Sequence, residues 1–165
     1  MPPVDWRLAS PADTEALGAA LARSCPWHER MPRSLFLHGA LGSGKTTLAR
    51  GLLRALGETG AIVSPSYSLI EIYALRLGTV VHVDLYRLNS ATEFDELGLS
   101  DYFVGRTLLL IEWPERAHGR LHAADIVLTL ELDGELRRAH ARADSEAGAA
   151  WLAATRAPPS AQESN

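Results

Sequence analysis

The chain has 165 residues, 47% of them hydrophobic and 22% charged, with 16 basic against 20 acidic groups for a net charge of −4. These values fit one globular domain with its own core and exclude a wholly disordered chain. The acidic balance argues against autonomous nucleic-acid binding, which relies on clustered Lys and Arg, and no stretch approaches the roughly 20 apolar residues that span a bilayer.

The first residues carry Asp5 and Arg7 without an apolar core, so a secretory signal is not expected. Val4–Leu8 reads as a short opening strand. Ser10-Pro11-Ala12-Asp13 resembles a capping box with Pro at the first helical position, and Leu17 and Leu21 continue that helix to about Ser24. Cys25-Pro26-Trp27 breaks it. As the single cysteine, Cys25 excludes an intrachain disulfide framework and suits a reducing compartment.

Residues 34–38 (SLFLH) form an apolar run expected of a buried strand, and 39–44 a glycine-rich turn. Leu48, Leu52 and Leu56 then mark one face of a helix that Gly57 stops. After Ser64-Pro65-Ser66, residues 67–74 read as a strand, and 79–85 (TVVHVDL) as a clearer one rich in β-branched residues. Ser90 to Glu93 offers a second capping box for a short helix ending near Gly98. Residues 107–111 (TLLLI) lack alternation, as in a central strand covered on both faces. Two strands flanking Asp133-Gly134 give a hairpin, 145–155 a last helix, and 157–165 a disordered tail. The order predicts one α/β domain over 1–156, with a mostly parallel central sheet, helices on both faces and a C-terminal β-hairpin.

Residues 39–46, GALGSGKT, match G-x-x-x-x-G-K-[ST] at every defined position. Gly39, Gly42 and Gly44 let the backbone bend so that successive N–H groups, with Ser43 among them, point at an anion. The following helix adds the unpaired N–H groups and positive dipole end of its first turn. Lys45 can reach between β- and γ-phosphates, and the Thr46 hydroxyl is placed to ligate Mg²⁺. Lys45 is also the chain's only lysine, the other 15 of its 16 basic residues being arginines. The bland alternative is a glycine-rich turn that binds nothing, but the required strand precedes this loop and the required helix follows it.

A phosphate loop needs an acidic partner at the end of a neighbouring strand. Asp84 closes VVHVD and Glu112 closes LLLIE. One would hold Mg²⁺ and the other orient or deprotonate the attacking water; spacing leaves open which does which. The hydroxyls of Ser64-Pro65-Ser66-Tyr67-Ser68 are candidates for a phosphate-sensing loop. His118 and His122 lack companions with metal-ligand spacing and read as solvated loop histidines. Arg116 and Arg120 read as surface charge before lid arginines, and Trp113 as either core packing or a base or partner contact.

Together LFLHGALGSGKTTLARGLL, SPSYSLIEIY, VVHVDLYRL, EFDELGLSDYF and LLLIEWPER resemble the TsaE (YjeE) family from about Leu8 to Trp151, in order and spacing. The combination of the phosphate loop with H-x-D-L-Y-R and E-W-P is what makes the likeness specific. The resemblance implies a single P-loop NTPase domain that binds ATP and Mg²⁺ in the cytoplasm, away from membranes. Its hydrolysis would be weak alone and coupled to the partner proteins TsaD and TsaB in making threonylcarbamoyladenosine (t⁶A) in tRNA. ATP hydrolysis would reset that assembly, and tRNA would be met only indirectly through it. Gly42 to Thr47, hence also Ser43 and Thr47, would wrap the phosphates, and Thr46 with Glu112 would hold the metal. Asp84 would serve hydrolysis, Ser66 would act in a switch loop, and Thr14 with Arg137 would lie near adenine. This chain departs from the family's usual S-P-T-Y-T, having Ser66 and Ser68, and has Ala40 where an acidic residue is common. A small-molecule kinase on the same loop and a non-catalytic nucleotide-sensing adaptor are the rival readings.

Overall fold

The run TLLLIE lacks polar alternation, and only a strand with packed layers on both faces suits it. In the computed structural model, which describes residues 2–156, that run is β5 (Thr107–Glu112), and all six residues are buried. The other strands are β1 (Val4–Leu8), β2 (Arg33–His38), β3 (Ile70–Leu75), β4 (Gly78–Asp84), β6 (Ile126–Asp133) and β7 (Leu136–Ala143). They form one seven-stranded sheet in the order β1-β7-β6-β2-β5-β4-β3. β6, β2, β5 and β4 run parallel at its centre, while β3 pairs antiparallel with β4, and β7 with both β6 and β1. The sheet is mostly parallel in the middle with antiparallel margins.

Four helices complete the α/β layers: α1 (Pro11–Ser24), α2 (Lys45–Ala55), α3 (Ala91–Glu96) and α4 (Glu146–Ala154). Leu17 of α1, Leu52 of α2 and Trp151 of α4 share one core with Leu35, Leu37 and Leu110 of the sheet. On the other face Phe94 of α3 and Leu99 pack with Phe36, Val81 and Ile111. The expected capping boxes form. Ser10 Oγ accepts from Asp13 N at 3.2 Å, and Ser90 Oγ from Glu93 N at 3.2 Å. Each acidic partner reaches back one residue beyond the cap, Asp13 to Ala9 N and Glu93 to Asn89 N, both at 2.9 Å.

Two details differ from the sequence reading. The strand expected from residue 67 begins at Ile70, because residues 67–69 belong to a turn. Leu69 N donates to Pro65 O at 2.6 Å, and Leu69 takes a left-handed φ of 64°. The β3–β4 hairpin turns on Arg76-Leu77, which lacks the Asn-Gly or Asp-Gly signal found at the β6–β7 turn. The tail predicted at 157–165 lies outside the described residues. Among the described residues, no helix is long and apolar enough to cross a membrane.

The helix carrying the phosphate loop is held by close backbone approach. A Cβ on Gly51 of α2 would fall inside the Glu15 carbonyl of α1, and one on Gly18 of α1 inside the Leu48 carbonyl of α2. Gly51→Ala would gain about 1 kcal/mol of helix propensity. Overpacking against backbone costs typically 1–3 kcal/mol, at the upper end here because no flexible side chain can yield, so the clash wins. We expect Gly51→Ala to lower stability by about 1–2 kcal/mol and the melting midpoint by roughly 3–6 °C. Thermal unfolding followed by circular dichroism checks this, and an unchanged or raised midpoint contradicts the close contact.

Candidate functional site

β2 ends at His38, and the next six residues turn the chain into α2. The turn is too tight for side chains at two points. A Cβ on Gly39 would strike the Leu130 carbonyl and the Ser43 side chain. Gly44 caps α2 at a left-handed φ of 110°, with the Arg137 side chain lying across it. Ser43 is buried; its N–H bonds Ala40 O at 3.1 Å, and its carbonyl accepts from Arg137 Nε at 3.0 Å. Its hydroxyl is buried with no protein partner among the described residues.

Lys45 opens α2 and is only 5% exposed. Its ammonium donates to Gly39 O at 2.5 Å and Ala40 O at 2.9 Å, and sits 4.2 Å from the centre of the Trp113 ring. Burial pulls its pKa below the ordinary lysine value, while Glu112, Asp84 and Glu115 pull the other way.

The two carboxylates close adjacent parallel strands and stand directly opposite one another, Asp84 of β4 against Glu112 of β5. Side chains alternate along a strand, so His82 and Asp84, Leu110 and Glu112 point to one face, the face roofed by α2. Val81, Val83 and Ile111 take the other. Both carboxylates are buried. The Thr46 hydroxyl lies 3.4 and 3.5 Å from the Glu112 oxygens, and His82 Nε2 lies 2.8 Å from Oε1. Asp84 accepts from Tyr86 N at 2.9 Å and, through its other oxygen, from the Ser64 hydroxyl. The 64–68 loop is therefore tied to the carboxylate at the end of β4.

A cleft of about 410 Å³ opens at the carboxyl ends of these strands. Its walls bring together Gly42, Gly44, Lys45, Thr46, Thr47, Ser66, Asp84, Glu112 and Arg137 from the sequence reading. Gly39 and Ser43 shape the loop from behind. Thr14 is fully buried beneath Gly44, its hydroxyl turned to Ser10 O at 3.4 Å, so among the two residues expected near adenine only Arg137 lines the cleft. Tyr86, Arg87 and Trp113 line it as well. Arg87 stacks 4.0 Å over the ring of the exposed Tyr67, and Tyr86 packs 4.9 Å from Trp113. Position signalled the first pair, since both follow Asp84 in DLYR. Trp113, left open between core and contact, takes a left-handed φ of 57° that turns it onto the cleft. Arg120 pairs with Asp95 at 3.5 Å away from the cleft, and His122 stacks on Phe103.

The Lys45 ammonium lines the cleft, and the Thr46 hydroxyl with the Glu112 carboxylate supplies hard oxygen donors of the kind Mg²⁺ takes. A second carboxylate stands beside them.

The model of the family described as threonylcarbamoyl adenosine biosynthesis protein TsaE matches residues 8–140. The chain belongs to the TsaE family. A relative from Haemophilus influenzae, named tRNA threonylcarbamoyladenosine biosynthesis protein TsaE, is 37% identical over 121 residues, covering 73% of this chain and 77% of its own. The TsaE protein of that name from Bacillus subtilis is 30% identical over 138 residues, 84% of each chain. The crystal structure of YdiB from Bacillus subtilis superposes with a TM-score of 0.75 at 23% identity, over 92% of this chain and 93% of that one, which supports the same fold. The TsaE match takes in the whole phosphate loop and both strand-end carboxylates.

A hydrogen bond to a carboxylate contributes about 1.5–3 kcal/mol, so Ser64→Ala should speed amide exchange in residues 66–69 by roughly tenfold or more. Hydrogen exchange read by mass spectrometry checks this, and unaltered protection there contradicts the tie to Asp84.

Proposed function

We propose that this TsaE-family protein is the Mg²⁺-dependent ATPase subunit of t⁶A synthesis on tRNA. In this reading it works in the cytoplasm with TsaD and TsaB, and hydrolysis resets their complex between turnovers. The observation that carries the reading is the register of β4 and β5, which sets Asp84 and Glu112 side by side at the mouth of the phosphate loop. The names of the relatives supply the pathway.

In this account the amides of residues 42–47 wrap the phosphates, that of Ser43 giving up its bond to Ala40 O, and the Lys45 ammonium exchanges the carbonyls of Gly39 and Ala40 for phosphate oxygens. Thr46 and Glu112 hold Mg²⁺, whose charge offsets that of the phosphates. Arg137, bonded to the Ser43 carbonyl beside the loop, borders the space for the base. Asp84 orients a water at the γ-phosphorus; the new P–O bond forms as the bond to the bridging oxygen breaks, and ADP and phosphate result. Because Ser64 bonds Asp84, the 64–68 loop is positioned to move when that water and the γ-phosphate arrive. The mild acidity of the chain fits tRNA being held by the partner proteins.

The reading is tested with the purified protein, TsaB–TsaD and tRNA, scoring ADP release and t⁶A together. Asp84→Ala should lower turnover by about a hundredfold or more while ATP binding stays near wild type. Hydrolysis unchanged in Asp84→Ala removes Asp84 from its role. Tight ATP binding without hydrolysis, even with all partners present, favours the adaptor, and acceptor-dependent ADP release without them favours the kinase.

A further inference from the structure

We infer that His82 is a positioning residue for the metal-binding carboxylate, a role that rests on the Mg²⁺–ATP reading above. His82 lies within β4, fully buried, flanked by Val80, Val81 and Val83. An imidazole in such a strand needs a reason beyond packing, because valine fills the pleat without a polar atom to satisfy. The ring has one polar link. Nε2 lies 2.8 Å from Glu112 Oε1, while Nδ1 has no hydrogen-bond partner among the described residues. A carboxylate oxygen accepts, so the donor in this bond is assigned to Nε2–H.

The consequence falls on Glu112. Its other side-chain neighbour, the Thr46 hydroxyl, is 3.4 and 3.5 Å away, at the outer limit of hydrogen bonding. The 2.8 Å bond is therefore the shortest that holds the carboxylate, engaging Oε1, while the Thr46 hydroxyl stands almost equally near both oxygens. Register makes the bond possible. Asp84 faces Glu112 directly, and His82, two residues earlier on the same face, meets it diagonally. The site thus has one carboxylate held by a side chain of the sheet and one, Asp84, held by the Tyr86 N–H and the Ser64 hydroxyl. Groups that orient a metal ligand in this way typically set metal affinity by about 10–100-fold.

The test uses the full chain and reads ATP binding by calorimetry, first in EDTA and then across a MgCl₂ titration, for wild type, His82→Leu, His82→Asn and His82→Gln. A glutamine amide N–H can stand where Nε2–H stands; the asparagine amide, one methylene shorter, cannot reach Glu112. We expect His82→Leu and His82→Asn to bind ATP in EDTA within about twofold of wild type, yet to need about tenfold more Mg²⁺ for the half-maximal effect. His82→Gln should return most of the wild-type Mg²⁺ midpoint. Equal midpoints for the Asn and Gln variants, or a loss of metal-free ATP binding as large as the loss with Mg²⁺, overturns the assignment. A wild-type chain whose ATP binding ignores Mg²⁺ overturns the metal reading itself, and this inference with it. The Asn–Gln comparison keeps the test independent of whether the leucine variant folds.

Discussion

A buried ammonium must be satisfied, and Lys45 is satisfied by the loop to which it belongs. Its bonds to Gly39 O and Ala40 O pin the head of the side chain to the start of the turn, while its backbone opens α2 at the other end. The six-residue turn is thereby closed on itself. Everything around it fits this constraint: glycine where the Leu130 carbonyl comes close, a left-handed cap at Gly44, and the Trp113 face against the ammonium. A planar guanidinium fits such a pocket poorly, which gives physical sense to the use of lysine once among 16 basic residues.

The sheet then decides what the ammonium can serve. The chain leaves β2 through α2 for the edge hairpin of β3 and β4, β5 fills the place between β2 and β4, and β6 lies on the other side of β2. That order puts the phosphate loop next to the ends of β5 and β4, where the carboxylates face each other. Close contact between α1 and α2 at Gly18 and Gly51 fixes the roof over them. Different anchors hold the carboxylates: an imidazole within the sheet for Glu112, and the Tyr86 N–H with a loop hydroxyl for Asp84. The first suits a group that should stay still, and the second one that answers to a ligand.

Much of this was legible in the sequence, because periodicity, caps and turn residues act locally. The unbroken TLLLI run announced a central strand, Ser10 and Ser90 announced helix starts, and the spacing from Gly39 to Thr46 announced the turn. What the sequence left open depends on pairing between distant segments. No local signal tells that β1 joins β7 at one edge, or that Arg76-Leu77 turns a hairpin. Thr14 and Arg137, named together for adenine, both lie against Gly44, but Arg137 lines the cleft while Thr14 is buried, a difference set by how α1 meets the loop. His82 was visible as a polar residue in a valine strand, but its partner lies thirty residues away on another strand, and only register joins them.

The most direct measurement of the central claim compares equilibrium ATP binding, with saturating Mg²⁺, in wild type and Lys45→Arg. The two side chains carry the same charge, so the comparison isolates the compact ammonium. A charge-assisted hydrogen bond of about 1.5–3 kcal/mol predicts that Lys45→Arg weakens binding by roughly tenfold or more. Wild-type affinity in Lys45→Arg would contradict the account.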